Sequence, residues 1–266
     1  MAHRWAAAVA AALLAAGLVA CSDGDDGPHT YYGAERAMGN GQIRTFVTTD
    51  GDGTPTEVGL RIQEDAVQGL PAGDGMSMTA PMASPALALP EQAAGTVVDH
   101  LTFDWVPHGH PPVGVFDQPH FDTHFYFIDA AAVQAMDPAD PDFLTEAAVE
   151  PAPRYMPAGY VTIPGEPIEA QAVPYMGVHW VNPAGVVPGQ FTQTLINGAW
   201  NGQYIFTEPM FTREWLLTKP DFSGEIAQPQ AYQHTGRYPT TYAITFDDQS
   251  KEYVVTLGGM TERTAS

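Results

Sequence analysis

The chain has 266 residues, with 31 Asp and Glu against 10 Lys and Arg, a formal net charge of −21 at pH 7 and a single Cys. Such a surface is a poor partner for nucleic acid, because phosphate binding needs clustered Lys and Arg, and no Lys occurs before Lys219. One thiol allows neither an intramolecular disulfide nor a multi-cysteine metal site, and with 15% charged residues the acidity falls short of a halophilic surface.

Residues 1–20 read as an export signal: His3 and Arg4 precede an Ala/Leu/Val run with no acidic residue, too short to span a bilayer comfortably. The run ends in Leu18-Val19-Ala20-Cys21, which resembles the lipobox of bacterial lipoproteins. That resemblance implies acylation at Cys21 and an exported protein held on the periplasmic or cell-surface side by its lipid. An ordinary signal peptide with a chance Cys would also export the chain. Residues 21–41 are then the lipidated Cys and a flexible acidic tether, and 42–266 one β-rich domain, ample for a sizeable core.

Two β-type runs in 42–62 flank Asp50-Gly51-Asp52-Gly53 as a hairpin. The Asp/Gly loop lacks the spacing and terminal Glu of an EF-hand, so it reads as a turn. A helical turn or two is expected over 64–70. Next comes a Pro/Met/Ala-rich passage, 71–90, whose Met76, Met78 and Met82 read as gap-fillers over the core, with a Cu(I) site as the weaker alternative. Residues 100–105 alternate as a strand, 107–112 (PHGHPP) must leave it, and 116–129 resume it with Phe and Tyr.

Short helices are expected at 130–136 and 142–148, and the apolar run 173–181 reads as one buried strand. Residues 191–210 form the clearest hairpin, turning at Asn201-Gly202. Thr212 is a candidate cap for a short helix to 217, 220–239 look loop-like, and 242–257 make a last hairpin. The fold class is therefore mainly β, with α+β as the alternative: a single antiparallel barrel-like or sandwich domain carrying a few short helices.

Five of the nine histidines (His100, His108, His110, His120, His124) fall within residues 100–129, among Asp104, Asp117 and Asp122. In an extended 121–127, His120, Asp122, His124 and Tyr126 share one face while Phe121, Thr123, Phe125 and Phe127 share the other. His120 and His124 would stand roughly 13 Å apart along that strand, too far for both to hold one ion, so other strands must contribute. His179, between Val178 and Trp180, is either a hydrogen-bonded core residue or a ligand. Glu208, in Thr207-Glu208-Pro209-Met210, is rarely buried without a partner. The candidate metal ligands are His110, His120, His124, His179 and Glu208, with Asp122, Tyr126 and His108 as groups that orient the imidazoles.

The blocks PHGHPP, PHFDTHFYFID, MGVHW and the hairpin ending in EPM resemble a bacterial family of secreted proteins and lipoproteins with a domain of unknown function. The resemblance runs over about 42–257; it implies a compact β-barrel-like domain and the joint occurrence of those five residues, and it supplies no activity. The cupin pattern fails for want of a Glu after His110, and the α-class carbonic anhydrase pattern fails because position 122 is Asp. No G-x-S-x-G, Walker loop, dinucleotide fingerprint or H-E-x-x-H occurs.

The expected function is an exported, lipid-anchored protein with a His/Glu site for one divalent metal, zinc above others, acting on a small molecule. The alternative is a non-catalytic envelope scaffold or binding protein whose His/Glu cluster is a hydrogen-bond network. The membrane is then a partner only through the lipid, a small-molecule ligand fits either reading, and homo-oligomerisation is left open.

Overall fold

The computed structural model describes residues 27–73 and 84–266. The expected export signal, Cys21 and the methionines Met76, Met78 and Met82 lie outside the described residues. In chain order the strands are β1 (His29–Tyr32), β2 (Arg36–Met38), β3 (Gly41–Thr49), β4 (Pro55–Gln63), β5 (Leu87–Ala88), β6 (His100–Val106) and β7 (His120–Tyr126). Helices α1 (Ala130–Ala135) and α2 (Phe143–Ala147) follow. Then come β8 (Ala172–Val173), β9 (Gly177–Trp180), β10 (Gln193–Trp200), β11 (Gln203–Thr212) and α3 (Arg213–Leu216). The chain closes with β12 (Asp221–Glu225), β13 (Gly236–Tyr238), β14 (Thr241–Asp247), β15 (Glu252–Gly258) and β16 (Thr261–Arg263).

Two sheets of seven strands organise the molecule. One runs β1-β3-β4-β15-β14-β12, with β2 also on β3; the other runs β5-β6-β7-β11-β10-β9-β8; β13 and β16 make a separate ribbon. The protein is mainly β, with antiparallel sheets, one of them curled as a half-barrel, and few short helices. Among the described residues no helix is long and apolar enough to cross a membrane.

Alternation explains where the core lies. Phe121 and Phe125 of β7, Leu101 of β6, Leu195 of β10 and Phe211 of β11 pack against Ile43, Val47, Leu60, Ile62, Ile244 and Val255 of the first sheet. Each side chain of this kind contributes about 1.5–3 kcal/mol when fully buried. The opposite face of the second sheet therefore turns away from the main core, and it carries His120, Asp122, His124 and Tyr126. That face is covered by smaller clusters, including Val133, Met136 and Phe143 from the α1–α2 region.

Several turns follow local chemistry. Asn201 (φ 46°) and Gly202 (φ 76°) both adopt the left-handed conformation that a two-residue hairpin turn requires. The Thr212 hydroxyl accepts from the Trp215 N–H at 3.2 Å and caps α3. Three expectations need correction. Residues 173–181 form no single strand but the tight hairpin β8–β9, because Tyr175 (φ 60°) and Gly177 (φ 97°) reverse the chain. The first sheet takes in His29–Met38, a stretch placed in the tether from sequence, through pairing of β1 and β2 with β3. Residues 220–239 supply β12 and β13.

Candidate metal centre

β7 is the backbone of the site. Its register with β6 sets His124 opposite Thr102 and Asp122 opposite Asp104. Its register with β11 pairs Tyr126 with Phe206 and Asp122 with Met210, which puts Glu208 across from His124. On the far side of β11, β10 sets Ile196 opposite Glu208, and β9 sets His179 opposite Gly198. The bare Cα of Gly198 is required: a Cβ there would stand 1.9 Å from Cε1 of Phe206. In that gap the Phe206 ring packs beside both His124 and His179, with centroids at 4.8 and 5.3 Å, while the two imidazoles meet each other at 6.0 Å.

The five sequence candidates do not gather as one shell. They divide between two trios, each of two imidazoles and one carboxylate: His110, His120 and Asp122, and His124, His179 and Glu208. In the first, His110 Nε2 lies 3.5 Å from Asp122 Oδ2 and His120 Nε2 lies 3.1 Å from Asp122 Oδ1. In the second, His124 Nε2 and His179 Nε2 lie 3.3 and 3.7 Å from Glu208 Oε2. Asp122, expected only to orient the rings, is thus the carboxylate of the first trio. Sequence could have promoted it by its place between two histidines on one strand face.

Secondary contacts aim the rings. The Nδ1–H of His120 donates to the Gln118 carbonyl at 2.6 Å, and that of His110 to the Pro111 carbonyl at 2.7 Å. Because a carbonyl only accepts, Nδ1 of each ring carries a proton, which leaves Nε2 as the atom aimed at the trio and free to ligate a metal. Gly109 (φ 69°) lets the loop after β6 fold back so that the His110 N–H reaches the Phe116 carbonyl at 3.0 Å. His124 Nδ1 is 3.3 Å from the Thr102 hydroxyl and 4.0 Å from Asp104 Oδ2, and Ser84 donates to the other Asp104 oxygen. Thr102 and Asp104 were not singled out as site residues from sequence, since only the β6–β7 register puts them behind His124.

Tyr126 stacks on His124 at 5.5 Å and on His100 at 5.0 Å, and its hydroxyl donates to the Tyr175 carbonyl at 3.4 Å. It supports the second trio from beside. His108 has no such role: it is exposed, with Nε2 2.9 Å from the Gly73 carbonyl. Leaving β6 at Pro107 turned it away from the sheet face.

The electrostatics of the trios differ. Burial pushes His124 down to about 4 and His179 down to about 3, so both rings are neutral at pH 7. Burial also drives the Glu208 carboxyl well above the carboxylate range, with Asp122 and Asp104 adding like charge. At Asp122, burial alone would act the same way, but the adjoining His120 and His110 outweigh it and hold this carboxyl below its usual range. His110 is raised in turn, since Asp122 outweighs the effect of burial on the ring.

Four of the trio atoms are buried without a hydrogen-bond partner among the described residues: His120 Nε2, Asp122 Oδ1, His124 Nε2 and Glu208 Oε2. They approach their neighbours closely but without the alignment of a hydrogen bond. Orphaned buried polar atoms cost about 1–3 kcal/mol each. Donors set tetrahedrally at about 2.0–2.1 Å around a zinc ion would be spaced roughly 3.3 Å from one another, and the trio contacts run from 3.1 to 3.7 Å.

No curated protein and no solved structure matches the chain. Residues 50–105 match the model of a family described as TTHB210-like, hypothetical protein TTHB210, an uncharacterised family. This stretch runs from the turn before β4 into β6 and stops short of both trios, so it supports similarity to a domain of unknown function and assigns no role to the site.

Proposed function

We propose that this protein is an exported, lipid-anchored metalloprotein that holds divalent metal, zinc above others, at the two trios on the outer face of its second sheet. The observation that carries the reading is the convergence of four orphaned, buried donor atoms on two points. Each trio supplies two imidazole nitrogens and one carboxylate oxygen, a donor set suited to zinc with one position left for water or a ligand. A water bound there would be the nucleophile toward a small substrate. Export and anchoring rest on the signal-like 1–20 segment and Cys21.

The rival reading, a non-catalytic envelope scaffold in which the cluster is a hydrogen-bond network, has the misaligned trio contacts against it, since a structural network would pair these atoms. Elemental analysis after zinc reconstitution and dialysis tests the proposal. The wild-type chain should retain stoichiometric zinc, while Asp122→Asn, His124→Ala and Glu208→Gln should each retain less. Absence of stoichiometric zinc, or zinc unchanged in all three variants, would overturn it.

A further inference from the structure

Each trio has two sealed members and one that meets solvent. His120 and Asp122 keep 0% and 3% side-chain exposure against 20% for His110, and His124 and Glu208 keep 1% each against 22% for His179. His110, Asp122 and His179 line one and the same cavity of about 380 Å³. Its size is at the small end of small-molecule sites, roughly 300–1,000 Å³. Both metal positions therefore open into a single chamber.

Most of the rest of that chamber is apolar: Phe116, Ile163, Val173, Met176, Val181 and Ile196 form its wall, Glu166 adds an acidic side chain at the rim, and no Lys or Arg lines it among the described residues. Two divalent ions would be set against Asp122, Glu208 and the rim Glu166, with Asp104 behind His124, so they would be largely neutralised and would draw a ligand through the coordination position that three protein donors leave open on each. Asp122 and His124 are alternate residues of β7, so the carboxylate of the first trio and an imidazole of the second rise from Cα atoms roughly 6–7 Å apart on one strand face.

Building on the metal reading above, we propose that the chamber binds a small amphiphilic oxyanion: a phosphoryl or carboxylate head at the metal positions, with an apolar body against Ile163, Val173, Met176 and Ile196. The head would fill the coordination position that three protein donors leave open, and the body explains a wall that a free inorganic ion would not use. Gln171 steadies the rim, since its amide donates to the carbonyls of Ile163 and Glu166 at 3.0 Å and accepts from the Ile163 N–H at 2.8 Å.

The test is titration calorimetry on the zinc-loaded full chain with phenylphosphonate, benzoate and inorganic phosphate. At least one of the two aryl oxyanions should bind one to one, roughly tenfold or more tighter than phosphate because of the buried ring, and not at all after chelation. Whichever aryl compound binds identifies the head. Ile163→Asp, at the half-open rim, should retain its zinc and lose most of the aryl preference. Two bound zinc ions with no aryl oxyanion binding, binding that persists after chelation, or an aryl preference unchanged in Ile163→Asp would overturn this inference and leave the metal reading intact; failure to bind zinc would remove both.

Discussion

The two sheets each bury a glutamate, and they treat it in opposite ways. Glu252 on β15, 4% exposed, is gripped by Arg44 at 3.1 Å and Arg61 at 2.9 Å, and Arg61 also reaches Asp247 at 3.3 Å. Glu208 on β11, 1% exposed, meets no protein cation among the described residues; its neighbours are His124 and His179, two imidazoles that burial keeps neutral. A buried carboxylate is costly unless it is paired. The first sheet pairs its acid from within the chain. The second arranges lone pairs around its acid, an arrangement that an external cation would complete.

Zinc should separate the two acids most sharply. At a thousand times its dissociation constant, the metal should raise the unfolding free energy by about 4 kcal/mol per site. Glu208→Gln should remove one site's share of that gain, as read by urea unfolding with and without chelator. Glu252→Ala should cost about 3 kcal/mol by stranding its arginines, equally in both conditions. A zinc-dependent loss at Glu252, or a zinc-independent one at Glu208, would break the contrast.

Asp104 extends it to pH. Burial, against the Ser84 hydrogen bond, pushes this carboxyl up to about 6 from 3.8, so between those values the folded metal-free protein binds more protons than the unfolded chain. Stability from this group is fully present below about 3.8 and is lost as pH rises through about 6. His124 and His179, held below 6.5, act with the opposite sign: their stability is present above 6.5 and is lost as pH falls toward about 4 and about 3. Asp104→Asn should remove only the carboxylate part. The variant should gain on the wild type by about 2 kcal/mol between pH 4 and pH 7 in the metal-free state; parallel stability curves would refute the assignment.

The smallest effect expected is steric. Gly198→Ala displaces the Phe206 ring, which packs beside both His124 and His179, at an overpacking cost of about 1–2 kcal/mol. Zinc affinity should fall at the Glu208 trio and hold at the Asp122 trio. Equal losses at both would mean that the trios are not separately supported.

Much of this architecture was legible along the chain. The period-two pattern of residues 121–127 put the phenylalanines and the histidines on opposite faces, Asn201-Gly202 announced the β10–β11 hairpin, and Thr212 announced a helix cap. The β8–β9 reversal was hidden because Tyr175 takes a left-handed conformation without a turn residue's composition. His110 was read as a ligand and His108 as a group orienting the imidazoles, yet the loop that leaves β6 keeps only His110 at the site and turns His108 to the Gly73 carbonyl.

Sequence by itself determined which side chains share a face of β7, because strand geometry alternates them without reference to anything distant. Only the tertiary structure decided the partition into two trios and the shared chamber. His124 meets Glu208 through the β7–β11 register, and His179 reaches that acid across the bare Gly198 of β10. Registers between segments far apart in the chain are set by packing of whole sheets, so no local pattern around residues 120–124 could encode them.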